Sequence, residues 1–232
     1  MKTILFILIL IFTKERQEAL EFNYSKMSKS VDTSYTYLAL GDSYTIGESV
    51  LLTESFPYQT VLFIRKQGFD FKDPEIIAKT GWTTDELQKA IYQYKFLPSY
   101  DFVTLLIGVN NQYRGRKTEE FKPEFENLLK QAIQFAGGKK EHVVVLSIPD
   151  WGVTPFAEGR DRKQIAKEID EYNVVIKMIV NKYRVNYLDI TPGTREAATD
   201  PGLLAADGLH PSSKEYLRWA EKIILIIKKQ LK

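Results

Sequence analysis

The sequence alternates between short apolar runs rich in β-branched residues and longer segments whose apolar residues recur at helical spacing. The short runs predict strands at residues 35–40, 75–78, 101–107, 142–148 and 185–190. The longer segments predict helices at residues 55–66, 85–96, 118–135, 162–182 and 212–231. Thr84 is placed to cap the second of these helices, and Ser212 with Glu215 has the spacing of a capping box at the last.

The predicted strands are apolar on both faces, which is typical of a parallel sheet covered by helices on both sides. No internal repeat and no Pro/Gly/Ser-rich linker divides the chain, so residues 33–232 are predicted to form a single α/β domain with a five-stranded parallel sheet. In such a sheet, ligands bind beyond the carboxyl ends of the strands. The residues that follow the strands are therefore the first candidates for function.

The first 27 residues have a different pattern. Lys2 precedes an apolar run at residues 4–12, and charged residues follow at 14–16. The run is shorter than the ~20 residues of a membrane-spanning helix but suits the apolar region of a secretory signal. We therefore predict a signal peptide or leader at residues 1–27 and export to the periplasm or beyond. No small-x-small cleavage site follows, so an uncleaved leader, or a start at Met27 and a cytoplasmic protein, stays open.

Composition excludes several classes of protein and site. The chain has no cysteine, which rules out disulfides and thiolate metal sites. It has two histidines, so a metal centre would need carboxylates almost alone, and we predict neither a metal nor a cofactor. The net charge of +2 is far from that of a nucleic-acid binder. We expect a small-molecule substrate, no nucleic acid and no stable membrane span; the sequence does not indicate an oligomeric state.

Polar and glycine residues with catalytic potential stand at the predicted strand ends. Ser43, Gly81 and Asn110 follow the first three strands, and Asp207 and His210 precede the last helix. A serine hydroxyl needs an imidazole to take its proton, and the imidazole needs a carboxylate to fix its tautomer. The oxyanion that forms in acyl transfer needs fixed donors. The backbone N–H groups of Ser43 and Gly81 and the Asn110 amide would supply them.

Four short motifs occur in order between residues 40 and 211: Gly-Asp-Ser at 41–43, the isolated Gly81, Gly-x-Asn at 108–110, and Asp-x-x-His-Pro at 207–211. Together they resemble the SGNH (GDSL) hydrolases, esterases and lipases with a flavodoxin-like three-layer α/β/α fold. The resemblance implies that Ser43 is the nucleophile, that His210 and Asp207 complete its triad, and that Gly81 and Asn110 are oxyanion-hole donors. The chain departs from many members in having Asn111, rather than Asp, after Asn110.

The function expected from these residues is hydrolysis of carboxylic esters through an acyl-enzyme. The connection after the fourth strand is short and no lid is inserted, which favours an open site for short acyl groups or a lysophospholipid. The acyl length and the alcohol part remain open. Trp82, Trp151 and Phe156 are candidates for the substrate pocket, with a place in the core as the alternative.

A second hypothesis is a flavodoxin-like module that binds a phosphate or nucleotide at residues 41–47 without hydrolase activity. This loop lacks the lysine of G-x-x-x-x-G-K-[ST] and the spacing of G-x-G-x-x-G. In either case we expect Asp42 to fix the loop as a hydrogen-bond acceptor, and His142, which opens a buried strand, to be structural.

Overall fold

All strands of the sheet run in the same direction. The computed structural model describes residues 34–231, and within this range five parallel strands form one sheet in the order β2-β1-β3-β4-β5. The strands are β1 (Tyr37–Asp42), β2 (Glu75–Lys79), β3 (Phe102–Leu106), β4 (Val143–Leu146) and β5 (Asn186–Leu188). The sheet confirms the predicted α/β class with a five-stranded parallel sheet.

Helices connect the strands and cover both faces of the sheet. They are α1 (Ser43–Ile46), α2 (Phe56–Arg65), α3 (Thr84–Gln93), α4 (Val109–Tyr113), α5 (Thr118–Phe135), α6 (Arg162–Tyr183), α7 (Thr191–Arg195) and α8 (Ser213–Ile227). Helix α2 packs against α8, whereas α5 packs against α3 and α6. Right-handed crossovers place these two groups on opposite faces, which gives the three-layer arrangement.

The core explains why the strands are apolar on both faces. Every residue of β1, β3 and β4 is buried. On one face, Trp219 of α8 packs on Phe56 of α2 with ring centroids 5.9 Å apart. On the other, Phe121 of α5 packs on Tyr172 of α6 at 4.7 Å. Each central strand is thus enclosed between two helical layers.

Two predicted helix caps differ in the structure. Helix α3 begins at Thr84, so the residue before it, Thr83, occupies the cap position, and its N–H donates to Glu86 Oε2 at 2.9 Å. Ser212 does occupy the cap position of α8, but its hydroxyl donates to the Gly202 carbonyl at 2.7 Å. Glu215 is buried and accepts from Trp219 Nε1 at 2.7 Å instead of capping the helix. The capping box is therefore absent, because the Trp219 indole and the Arg218 guanidinium bind the two oxygens of the Glu215 carboxylate.

The sheet has a topological switch point at β1, which pairs with β2 on one side and β3 on the other. The connections that leave β1 and β3 diverge there and form a crevice at the carboxyl edge. Ser43 directly follows β1, and Asn110 lies in α4 just after β3. The fold thus brings two of the predicted site residues to the same crevice.

The predicted leader at residues 1–27 lies outside the described residues, so export stays a prediction. Among residues 34–231, no helix is both long and apolar enough to cross a membrane. The described part of the chain also holds no group of three or more His, Asp or Glu residues suited to a metal ion.

Candidate active site

Ser43 is held at the junction between β1 and α1. Asp42 caps this short helix: its Oδ1 accepts from the Tyr44 N–H at 3.0 Å, as expected for a residue that fixes the loop. Gly41 is required by close packing, since a Cβ there would lie 2.0 Å from Thr45 Oγ1 and 2.5 Å from the Leu106 carbonyl oxygen. Because Ser43 is the first residue of α1, its N–H has no acceptor within the helix.

A turn before α8 presents His210 to Ser43. Asp207 Oδ1 accepts from the backbone N–H groups of Leu209 and His210, both at 3.0 Å, which fixes the turn. Asp207 Oδ2 lies 2.6 Å from His210 Nδ1, and His210 Nε2 lies 3.0 Å from Ser43 Oγ. The structure therefore joins three predicted site residues, from opposite ends of the domain, in one hydrogen-bonded line.

The protonation states along this line follow from Asp207. Partial burial favours the neutral acid, but hydrogen bonds from His210, Ser49 and two backbone amides outweigh it and lower the pKa of Asp207 to about 2. An ionised carboxylate only accepts hydrogen bonds, so His210 Nδ1 carries the proton. In a neutral imidazole with this tautomer, Nε2 is the acceptor and can take the Ser43 hydroxyl proton, as a general base requires.

Gly81 and Asn110 lie beside Ser43 in the same pocket. Gly81 follows β2 with φ of +82°, a conformation that side chains disfavour, and Arg114 Nη2 donates to its carbonyl oxygen at 2.6 Å. The Asn110 amide nitrogen donates to the Trp82 carbonyl at 3.1 Å and to Asp42 Oδ2 at 3.3 Å. These contacts hold the Gly81 peptide and the Asn110 amide in fixed orientations.

Asn111 has a structural place behind the site. It is fully buried, accepts from the Thr84 N–H at 3.1 Å, and donates to the Thr84 hydroxyl at 2.7 Å. Its side chain ties α4 to the start of α3, so the residue that departs from the family pattern supports the loop that carries Asn110.

The pocket at Ser43 has aromatic walls and an open side. It spans about 500 Å³, including its opening to solvent. The structure places Trp151 and Phe156 in its lining and adds Tyr44 and Tyr113, which sequence reasoning missed. The Trp151 indole is oriented by a hydrogen bond from Nε1 to Gln112 at 2.8 Å.

Trp82 is not brought into this lining. It packs against the hydrophobic core, and its contact with the site is the backbone carbonyl that holds Asn110. His142 lies elsewhere: its ring stacks on Phe102 with centroids 5.0 Å apart, and Nδ1 contacts the Asp101 carbonyl at 2.6 Å. This packing agrees with the structural role expected for His142.

Comparison with known proteins finds a family model that matches this sequence. The sequence profile of the GDSL-like lipase/acylhydrolase family matches residues 39–217, more than half of the chain. A search of curated protein sequences finds no significant match.

Solved structures show the same fold. A lipase/acylhydrolase from Enterococcus faecalis is 21% identical, with a TM-score of 0.66, covering 85% of this chain and 97% of that one. TesA is 18% identical with a TM-score of 0.63, covering 84% and 99% of the two chains. An acetylxylan esterase from Geobacillus stearothermophilus is 17% identical with a TM-score of 0.64, covering 83% and 94%.

Proposed function

The chain belongs to the GDSL-like lipase/acylhydrolase family and is a carboxylic ester hydrolase, and we propose that it cleaves short-chain acyl esters through an acyl-enzyme on Ser43. The observation that carries the proposal is the line of hydrogen bonds from Ser43 Oγ through His210 to Asp207, 3.0 and 2.6 Å long. The contact between Ser43 and His210 lies within the range for direct proton transfer, and the contact with Asp207 holds the imidazole in place.

The proposed reaction has two halves. Ser43 Oγ attacks the ester carbonyl carbon while His210 Nε2 takes the hydroxyl proton, and Asp207 stabilises the imidazolium that forms. Collapse of the tetrahedral intermediate breaks the bond to the alcohol, which leaves with the proton from His210. A water molecule then attacks the acyl-enzyme by the same route, which releases the carboxylic acid and restores the Ser43 hydroxyl.

Three donors are proposed for the oxyanion: the N–H groups of Ser43 and Gly81 and the side-chain amide of Asn110. The first two are backbone groups, fixed by the start of α1 and by the turn after β2. Asn110 is oriented by the Trp82 carbonyl, and its second amide N–H, which makes the longer contact of 3.3 Å with Asp42 Oδ2, would turn to the oxyanion. The two backbone donors are fixed before the reaction and stabilise the transition state without having to reorganise; each of the three donors is worth about a hundredfold or more in turnover.

The pocket supports a short acyl group as the preferred substrate. Its walls near Ser43 are aromatic side chains, with Trp151 buried and Phe156 44% exposed at the mouth. A single-chain lysophospholipid is the larger alternative, since the pocket is open on one side. A panel of p-nitrophenyl esters from acetate to palmitate, with lysophosphatidylcholine beside it, separates these two classes.

Ser43→Ala tests the mechanism, with Ser99→Ala as the matched control because Ser99 is an exposed serine. We expect the first variant to lose p-nitrophenyl acetate turnover and the second to keep it. An organophosphonate should label the wild-type protein once, on Ser43. Full turnover by Ser43→Ala, or labelling of another residue, would contradict the proposal.

The phosphate-binding alternative is not favoured. The Tyr44 N–H at the start of α1 is already bonded to the Asp42 carboxylate, which also adds a buried acid beside the loop. An anion would have to displace this contact. Nucleotide-dependent melting without esterase activity would be the result in its favour.

A further inference from the structure

Ser49 has an unusual backbone conformation beside the site. In the described part of the chain, it and Arg184 are the non-glycine residues with positive φ, at +66° and +57°. For a residue with a Cβ, this left-handed region is unfavourable, because the Cβ comes too close to the following carbonyl oxygen. Glycine would relieve that cost, so the presence of serine calls for a reason that involves its side chain.

The Ser49 hydroxyl reaches Asp207. Its Oγ donates to Asp207 Oδ2 at 2.7 Å, across 158 positions of sequence. The same oxygen lies 2.6 Å from His210 Nδ1. The other oxygen, Oδ1, is already held by two backbone amides. Ser49 is therefore the side chain, besides His210 itself, that fixes the carboxylate oxygen facing the imidazole.

The loop that carries Ser49 also carries the nucleophile. Ser49 lies six positions after Ser43, and the intervening Glu48 is tied back by its N–H to the Ser43 carbonyl at 3.1 Å. The Glu48 carboxylate accepts from the Thr80 hydroxyl, next to Gly81. The left-handed turn at Ser49 then directs its hydroxyl at Asp207. One short segment thus contacts both ends of the line from Ser43 to Asp207.

We propose that Ser49 is a positioning residue for ester hydrolysis, whose hydroxyl holds the Asp207 carboxylate in the orientation that aligns His210 with Ser43. The inference rests on the proposed function of the triad. Two anchored oxygens restrict rotation about the Cβ–Cγ bond of Asp207, whereas the Oδ1 contacts alone leave Oδ2 held only by the imidazole that it must orient.

Ser49→Ala and Ser49→Gly separate this function from a structural one. Both remove the hydroxyl, but only glycine relieves the left-handed strain. We expect kcat on p-nitrophenyl acetate to fall about fivefold to tenfold in both, the size expected for a partly solvated hydrogen bond to a charge, with KM within about twofold. Arg184→Gly, which relieves the same kind of strain at the end of α6, should leave kcat unchanged.

A purely structural role gives a different result. Activity would then follow the free energy of unfolding, and Ser49→Gly would keep more turnover than Ser49→Ala. Equal kcat losses with unequal stabilities support the proposal. Wild-type kcat in either variant overturns it.

A double-mutant cycle tests whether Ser49 acts through Asp207. In an Asp207→Ala background, Ser49→Ala should cause no further loss in the rate of organophosphonate labelling. The same fold loss as in the wild-type background would overturn the proposal. Ser43→Ala separates a failure of the proposed function from a failure of the positioning proposal. If Ser43→Ala retains turnover, the proposed function fails. If Ser43→Ala is inactive but the losses from Ser49→Ala and Asp207→Ala add independently, only the positioning proposal is refuted.

Discussion

The buried carboxylate of Asp42 should make the stability of this protein depend on pH. Asp42 is 1% exposed, and burial raises its pKa from 3.8 to about 7, against the opposing hydrogen bonds from the Tyr44 N–H and Asn110. The folded state therefore binds a proton that the unfolded state releases between these two pH values. The stability gained from that proton is complete below about pH 3.8 and is lost as the pH rises to about 7.

The size of the effect follows from the shift. About three pKa units correspond to on the order of 4 kcal/mol in the free energy of unfolding. Asp42→Asn has nearly the same shape but does not titrate, so it should lack this loss. Its carbonyl can still accept from the Tyr44 N–H, while its amide faces the Asn110 amide, an unfavourable contact that does not change with pH.

The assay is urea unfolding of both proteins, followed by tryptophan fluorescence at pH values from about 4 to 8. Relative to wild type, Asp42→Asn should gain on the order of 4 kcal/mol of stability across this range. Burial also raises the pKa of Glu215 and so acts in the same direction, but it is common to both proteins and cancels in the difference. A difference that stays constant with pH would refute the reasoning, since Asp42 would then ionise at its ordinary pKa.

Three further predictions concern the packing and charges around the site. Gly41→Ala should lower the free energy of unfolding by about 3 kcal/mol, because the new Cβ would overlap Thr45 Oγ1 and the Leu106 carbonyl; unchanged urea unfolding would contradict this. Asn110→Ala should reduce kcat about a hundredfold on p-nitrophenyl acetate through loss of one oxyanion donor, and wild-type turnover would remove Asn110 from that function. Arg195→Ala should destabilise the protein by about 1.5–3 kcal/mol, since the fully buried Asp150 carboxylate would lose its charged partner at 2.8 Å and keep the Gly152 N–H; calorimetry checks this, and an unchanged melting temperature would count against it.

The fold was predictable because its strands carry a two-faced apolar pattern. In β3 and β4 every residue is buried, and their predicted runs were correct to within two residues at each end. Tyr35 was predicted to be in the first strand, but it lies before β1 and forms an isolated bridge to Phe71. An aromatic residue suits either a strand or the segment before it, so the local sequence pattern could not define where β1 begins.

The site was predictable where its chemistry is local. Ser43 and Asn110 follow neighbouring strands, and Asp207 and His210 share one turn, so the topology explains why they meet. No sequence pattern indicated Ser49 or Tyr113. The hydrogen bond from Ser49 to Asp207 spans 158 positions, and Tyr113 is the last residue of the short helix α4. The direction in which Trp82 faces also depends on the turn after β2, which residue type does not encode.

Ser43 comes early in the folded domain and His210 comes late, and this order has a consequence for protein synthesis. On the proposed mechanism, a growing polypeptide cannot hydrolyse an ester until position 210 has left the ribosome and docked beside a segment made 167 residues earlier. Turnover therefore begins only after the turn that carries Asp207 and His210 has docked beside Ser43, and truncated products should be inert toward esters. The appearance of activity during translation would time the completion of folding.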